Sequence, residues 1–320
     1  DIGVVTNITH EHLDYHGSYA AYRADKARLF TGLAAAHEKA HSISRLAVLN
    51  RDDISYEYLV DVTKVTQLSY GLTPEADLYA DAITHTPTGL TFTAHGPGFE
   101  IPITCNLFGD YNVSNCLAAL GAAVVGLGLD PEAARAGIAA LPGVPGRMER
   151  IDLGQDFTAI VDFAHTPNAL KRTLEAARDF TDGRVIAVFG SAGLRDRAKR
   201  RMMAETAAEL ADLTVLTAED PRTESLDAIL AEMAVGAKSK GGVEGKTFWR
   251  VRDRGAAIKF GLELAQPGDV VLALGKGHEQ SMCFGETEYP WDDRIALRAA
   301  LAAYLGVEWP EMPYLPTQDE

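Results

Sequence analysis

Four short loops of this sequence combine glycine, carboxylate and arginine in a pattern that suits a ligand bearing both charges. They read Asp162-Phe163-Ala164-His165-Thr166-Pro167-Asn168, Gly190-Ser191-Ala192-Gly193-Leu194-Arg195-Asp196, Glu219-Asp220-Pro221-Arg222 and Gly275-Lys276-Gly277-His278-Glu279. Each follows an apolar run that reads as a buried strand. Small residues let backbone approach a ligand, and a guanidinium such as Arg195 or Arg222 can grip a carboxylate through two parallel hydrogen bonds. Any one of these loops is ordinary turn chemistry. Four of them at the carboxyl ends of parallel strands would line the edge at which open α/β sheets bind ligands.

The amino-terminal third carries chemistry of a different kind. The stretch Thr6-Asn7-Ile8-Thr9-His10-Glu11-His12-Leu13-Asp14-Tyr15-His16-Gly17 gathers three histidines and two carboxylates after a strand. It reads either as a solvated polar loop or as a holder of a metal or phosphate-bound cation, and its spacing matches no zinc pattern. In the helix that follows, Tyr19, Tyr22, Lys26, Leu29 and Phe30 share one face. The default for Lys26 is a snorkelling side chain with a buried stem and a wet ammonium. The alternative is a buried, neutral lysine. A neutral amine can add carbon dioxide, and the resulting carbamate is an oxygen anion suited to a hard cation such as magnesium. Further on, Asn112 and Asn115 lie three apart at a helix start, where they serve as caps or present amides to a nucleobase edge.

These residues need a scaffold, and the apolar pattern supplies one. Strands are expected at 1–7, 46–50, 158–162, 184–189, 213–217 and 269–274, with a short one at 247–251. Residues 62–104 alternate apolar and polar, which predicts antiparallel strands. Helices are expected at 18–36, 112–127, 131–141, 167–180, 197–211, 225–237, 253–265 and 293–305. Asp130 and Pro131 make a cap and first-turn pair. The run Leu141-Pro142-Gly143-Val144-Pro145-Gly146-Arg147 marks a hinge. It divides the chain into 1–145 and 146–306, with 307–320 as an extended surface tail. The regular strand–helix alternation after the hinge predicts a mostly parallel sheet covered on both faces.

Composition narrows the function further. The 320 residues carry a net charge of -15, so nucleic acid is not an expected partner. No apolar run suffices to span a bilayer and no signal peptide opens the chain, which points to a cytoplasmic protein without membrane contact. The three cysteines, Cys105, Cys116 and Cys283, show no metal or disulfide spacing and read as small buried side chains.

The segment from Thr6 to Gly17, with Tyr22 and Lys26, resembles the Mur ligase family, with Glu11 where that family usually has Asp. The four strand-end loops resemble the same family's carboxyl-terminal domain. They are nearest to the members that attach meso-diaminopimelate to UDP-N-acetylmuramoyl-L-alanyl-D-glutamate (UDP-MurNAc-L-Ala-D-Glu). The resemblance covers nearly the whole chain except the tail. It implies an α/β protein: the remainder of a P-loop-type central ATPase domain over 1–145, then a Rossmann-like, mostly parallel-sheet domain over 146–306 that binds the amino acid. It implies ATP and Mg2+ as cofactors and a UDP-MurNAc-dipeptide and a diamino acid as substrates. His12 and a carbamylated Lys26 would be catalytic and hold the magnesium. Asn112 and Asn115 would lie by the adenine, Arg147 by the phosphates and Asp162 by the ribose, with His165 in the same nucleotide site. Arg195, Asp220, Arg222, Gly275 and Glu279 would hold the incoming amino acid.

The chain departs from the family at two further points. The usual Asp-Asn-Pro-Arg box is Glu219-Asp220-Pro221-Arg222, and Leu194 replaces an aspartate before Arg195. The first change removes a donor and adds charge where a substrate carboxylate is expected. Arg222 favours diaminopimelate over lysine. No G-x-x-x-x-G-K-[ST] phosphate loop occurs in the sequence. The resemblance places that loop and the UDP-binding domain upstream of a position matching Asp1, so these residues alone are expected not to turn over. Two other readings stand beside this one: a ligase of the same superfamily with another substrate, of folylpolyglutamate or cyanophycin type, and a non-catalytic binding module.

Overall fold

The computed structural model describes residues 1–8, 16–37, 43–86 and 88–319. The chain forms two compact units, Asp1–Pro142 and Gly143–Glu320.

The first unit is built on a six-stranded sheet in simple sequence order, from β1 (Ile2–Val4) through β2 (Leu46–Asn50), β3 (Thr66–Gly71), β4 (Leu78–Thr86) and β5 (Gly89–Gly96) to β6 (Phe99–Cys105). β1 to β4 pair in parallel, and β4, β5 and β6 pair antiparallel. The expectation of antiparallel strands over 62–104 therefore holds for β4 to β6 and fails for β3. Alternation reveals a strand with two unlike faces but not its direction. β2 is buried on both sides, and its side chains alternate between two cores. Leu46 and Val48 pack with Leu68, Leu78 and Leu117. Ala47 and Leu49 pack with Phe30, Leu33 and Leu59 on the opposite face. Helix α1 (Tyr19–Leu33) and the short α2 (Tyr56–Val62) cover this second face. Helix α3 (Tyr111–Leu120) covers the first, continues as a π-helical turn (Gly121–Gly126), and is followed by α4 (Pro131–Ala140). Asp130 caps α4 through Glu132 N, with Pro131 in its first turn, as the sequence predicts.

The second unit carries a sheet in the order β11 (Phe248–Arg250), β10 (Leu213–Leu216), β9 (Val185–Phe189), β12 (Val270–Leu274), β8 (Thr158–Asp162), β7 (Glu149–Ile151). All neighbours are parallel except β7 against β8. Every residue of β9 and β12 is buried, as a sheet covered on both faces requires. Helices α5 (Pro167–Arg178), α6 (Arg197–Leu210) and α7 (Leu226–Ser239) pack side by side over it. A second pair, α8 (Arg254–Leu264) and α9 (Asp293–Leu305), packs together and against the same strands. A hairpin of β13 (Ser281–Phe284) and β14 (Thr287–Pro290), which the sequence pattern did not reveal, stands apart from the sheet. The tail is mostly exposed and without helix or strand over 307–315, with one anchor near its end. Leu315 is fully buried and the Thr317 hydroxyl donates to Asp253 Oδ2 at 2.8 Å, so the end of the segment docks on the start of α8. No helix of the described residues is long and apolar enough to cross a membrane.

Candidate active site

Parallel register places the last residues of four strands in one row. Asp162 pairs with Leu274, Leu274 with Phe189, and Phe189 with Leu216. The four loops singled out from sequence therefore leave the same edge of the sheet. Backbone hydrogen bonds tie them together: Gly275 N donates to Asp162 O at 3.0 Å, and Gly193 N to Asp220 O at 2.9 Å. Leu194 N donates to a Glu224 carboxylate oxygen. Arg222 N donates to Cys283 O at 3.1 Å, and Gly285 N to Arg222 O at 2.8 Å, so the hairpin fixes the backbone of the arginine loop.

Three non-glycine residues of this edge have left-handed backbone: Leu194 at φ 55°, Asp220 at 39° and Arg222 at 55°. Such conformations cost on the order of 1–3 kcal/mol each and persist where surroundings over-determine them, as at binding sites. Leu194 has no side-chain acceptor to offset that cost, which the aspartate expected there would have.

The glycines flanking Lys276 are required by close packing. Gly275 has φ 111°, and a Cβ on it would stand 2.6 Å from Glu219 Oε2. Gly277 has φ 51°, and its Cβ would meet Phe163 Cβ at 2.6 Å and Gly146 O at 2.7 Å. Between them Lys276 is buried. Its Nζ donates to Asp220 Oδ1 at 3.1 Å and Oδ2 at 3.0 Å, and reaches Glu279 Oε2 at 2.6 Å. Asp220 Oδ1 also accepts from Cys283 N at 2.8 Å. The added negative charge expected at Asp220 is thus offset within the fold by Lys276. Arg195 is exposed and Arg222 half-buried, and neither guanidinium has a carboxylate partner among the described residues. Among the described residues the edge presents two guanidinium groups without carboxylate partners and, on Glu279, one carboxylate oxygen not engaged by Lys276.

Beneath this surface lies a layer of buried charge that sequence reasoning missed. Arg254, wholly buried at the start of α8, pairs with the equally buried Asp293 at 2.6 Å. It also donates to Ala218 O at 3.0 Å and Leu274 O at 2.8 Å, which pins the tips of β10 and β12 from below. Trp291 Nε1 completes Asp293 at 2.7 Å. Glu219 is buried and its Oε2 finds no hydrogen-bond partner among the described residues. Burial pushes its carboxyl up to about 7, against the pull of Lys199, Arg254 and Lys276, while Asp220 pushes it further up. Burial likewise draws the Lys199 ammonium below its ordinary range. Arg254 and Asp293 are 39 residues apart and carry no joint signal in sequence. Lys276 lay inside a recognised loop, and its two glycine neighbours were the available sign that its backbone is locked.

Three of the expected nucleotide residues, Arg147, Asp162 and His165, lie at the β8 end of the same edge. Arg147 stacks on Phe163, 4.5 Å from the ring centroid, with His165 and His278 at 4.4 and 4.9 Å from that ring. Burial lowers the His165 imidazole, and the Phe163 carbonyl, 2.9 Å from Nδ1, opposes that shift. Asp162 is buried and already accepts from Met148 N, Ala164 N and Thr173 Oγ1 at 2.8, 2.9 and 3.1 Å. It holds the linker beside Arg147, and a ribose would share an oxygen with these donors.

In the first unit, Asn112 and Asn115 point the same way, as their spacing predicts. Asn115 Nδ2 donates to Asn112 Oδ1 at 3.0 Å, and Asn112 Nδ2 to Phe108 O at 2.7 Å. Lys26 falls on the stripe of Tyr22, Phe30 and Leu33, yet it is exposed, with Nζ 5.4 Å from the Tyr22 ring centroid. The snorkelling reading describes it, and the buried-lysine reading does not. His12 lies outside the described residues. Ile8, just before that stretch, is anchored by the Asp53 carboxylate at 3.3 Å and by Tyr19 Oη on its carbonyl at 3.0 Å. Among the described residues no group of three or more His, Cys, Asp or Glu could hold a metal. Lys26 is accessible to solution but lacks the burial that would favour the neutral amine a carbamate requires, and magnesium commonly takes one or two protein ligands with phosphate and water for the rest.

Comparison with known proteins agrees with this layout. The Mur ligase middle domain matches residues 1–123, and the Mur ligase glutamate ligase domain matches residues 146–277. A UDP-N-acetylmuramyl-tripeptide synthetase of Roseiflexus sp. (strain RS-1) is 45% identical over 306 residues, 94% of this chain and 60% of the relative. A UDP-N-acetylmuramoyl-L-alanyl-D-glutamate–2,6-diaminopimelate ligase of Geobacter metallireducens is 40% identical over 311 residues, again 94% and 60%. The chain thus spans about 60% of the length of these curated relatives. A solved structure of a ligase with that same name superposes with TM-score 0.65 at 33% identity, over 95% of this chain and 61% of the other. The folylpolyglutamate synthase of Mycobacterium tuberculosis, 18% identical with TM-score 0.66 over 97% and 64%, shares the fold. With both of its units matched in order, the chain belongs to the Mur ligase family.

Proposed function

We propose that this chain supplies the adenine- and metal-binding residues and the amino-acid pocket of a cytoplasmic, ATP-dependent amide ligase of peptidoglycan synthesis. The ligase joins meso-diaminopimelate to UDP-N-acetylmuramoyl-L-alanyl-D-glutamate. The observation that carries this reading is the strand-tip edge, where two guanidinium groups without carboxylate partners among the described residues stand with the half-engaged carboxylate of Glu279. That pattern suits the zwitterionic end of an amino acid. The names of the relatives support the same substrates.

The chemistry is two displacements. The acceptor carboxylate attacks the γ-phosphorus of ATP, giving an acyl phosphate and ADP. The amine then adds to the acyl carbon, loses a proton and expels inorganic phosphate, leaving an amide. Such transfers need mainly positioning and neutralised charge. Arg195 and Arg222 hold the carboxylate of the incoming amino acid and Glu279 its ammonium, with Gly275 giving backbone access. Arg147 lies along the nucleotide phosphates, with Asp162 and His165 by the ribose and Asn112 and Asn115 by the adenine. Lys26, as a carbamate, and His12 would hold the magnesium, whose charge offsets that of the phosphates.

The test is amino-acid-dependent phosphate release by the full-length enzyme, given ATP, the UDP-dipeptide and one of meso-diaminopimelate, L-lysine or L-glutamate. Release with diaminopimelate, reduced about 100-fold or more in kcat/KM by Arg222→Met, is the expected result, since a paired carboxylate loses its charge-assisted bonds. Release with lysine or glutamate in its place would assign another acceptor amine.

A further inference from the structure

We propose that Lys276 is a positioning residue for amino-acid recognition, and that Asp220 serves the pocket through Lys276 rather than by touching the substrate. This rests on the ligase reading above and adds the device that sets the pocket's acidic end.

A lysine buried to this degree is costly unless its ammonium is paired and hydrogen-bonded. Here its ammonium donates to both oxygens of Asp220 and forms an ion pair with one oxygen of Glu279. Asp220 is largely engaged in this arrangement: Oδ1 takes Lys276 and the Cys283 amide, and Oδ2 takes Lys276. Its side chain is only 18% exposed. Glu279 is the opposite case. Its side chain is 41% exposed, with Oε2 held by Lys276 and no contact to Oε1 among the described residues. Lys276 therefore converts a surface glutamate into a fixed acceptor with one open oxygen. A glutamate held before binding does not pay rotamer entropy when the substrate ammonium arrives.

The same geometry accounts for Asp220 in a box where asparagine is usual. An amide oxygen could accept from Lys276 and Cys283 in the same place. A carboxylate does so with a full countercharge for a buried ammonium. Its charge is spent on Lys276 and does not repel a substrate carboxylate held by Arg222.

The experiment is a double-mutant cycle of Asp220→Asn and Lys276→Gln, with melting of the 320-residue chain and kinetics of the full-length enzyme. Wild-type activity comes first: absence of amino-acid-dependent phosphate release there would remove the ligase reading itself, and this inference with it. With wild type active, K276Q is expected to lower the melting temperature and to raise KM for the amino acid about tenfold, with kcat changed less than about threefold. D220N is expected to leave KM within about threefold of wild type. The double variant regains melting temperature relative to K276Q, because no unpaired buried carboxylate remains, and keeps the raised KM. Recovery of KM along with stability would reduce Lys276 to a structural role. A tenfold rise in KM for D220N alone would put Asp220 in contact with the substrate. Either result overturns the proposal.

Discussion

The two units present their candidate site residues in opposite ways. In the first, Lys26 and Asn115 sit on helices that bury Phe30, Leu33 and Leu117 in apolar cores, with Asn112 buried and tied to Phe108 O. In the second, the strand-tip loops rest on buried charge: Arg254, Asp293, Glu219 and Lys276. An apolar platform holds a helix firmly but leaves the exposed side chain to orient itself. A buried polar network fixes the direction of each group, at the risk that losing one member leaves another unpaired. The first arrangement suits the modified, ion-binding lysine proposed for Lys26, and the second suits the zwitterion pocket proposed at the strand tips.

The contrast breaks most sharply at Asp293. Asp293→Ala leaves the Arg254 guanidinium buried without its carboxylate, and chemical denaturation is expected to show a loss of about 3–5 kcal/mol. A loss under about 1 kcal/mol would mean that the strand tips do not depend on buried charge.

Glu219 sharpens the comparison through pH. Its folded carboxyl is raised to about 7 from an ordinary 4.5. Between those values the unfolded chain releases the proton while the folded chain keeps it, so native stability falls as pH rises from about 4.5 to about 7 and then levels. The effect is about 3 kcal/mol. Glu219→Gln cannot ionise, so it is expected to gain about that much on wild type between pH 4.5 and pH 8 in denaturant melts at each pH. Parallel stability curves for the two proteins would place the ionised carboxylate comfortably in the fold.

The smallest effect belongs to the first unit. Lys26→Gln is expected to change stability by less than about 0.5 kcal/mol, as for an exposed substitution, while ligation by the full-length enzyme is lost. Thermal melting and phosphate release on the same preparation check both halves. A large stability loss would show that the lysine is packed rather than presented.

Much of the second unit was legible in sequence because its signals are local. A strand of Val, Ile, Ala and Leu followed by Gly-Ser-Ala-Gly, or by Gly-Lys-Gly, announces both the sheet and the edge that matters. The partners across that edge were not legible. Nothing near Lys276 says that its ammonium reaches Asp220, 56 positions earlier, and an arginine in a first helical turn, such as Arg254, reads as surface. The β13–β14 hairpin escaped because its four-residue strands, Ser-Met-Cys-Phe and Thr-Glu-Tyr-Pro, are too short to show a period. In the first unit the helical period placed Lys26 on the correct face, but a period cannot tell whether that face is covered at one particular turn.

The hairpin bears on the order in which the protein is made. Arg222 leaves the ribosome well before Cys283 and Gly285, whose backbone groups hold it in register. Lys276 and Asp293 also emerge late. β12 also emerges after β8, β9 and β10, and it stands between β9 and β8, so the two halves of the sheet and the strand-tip edge are completed together. A chain stalled near residue 270 would lack the strand that joins those halves as well as the loop that carries Lys276.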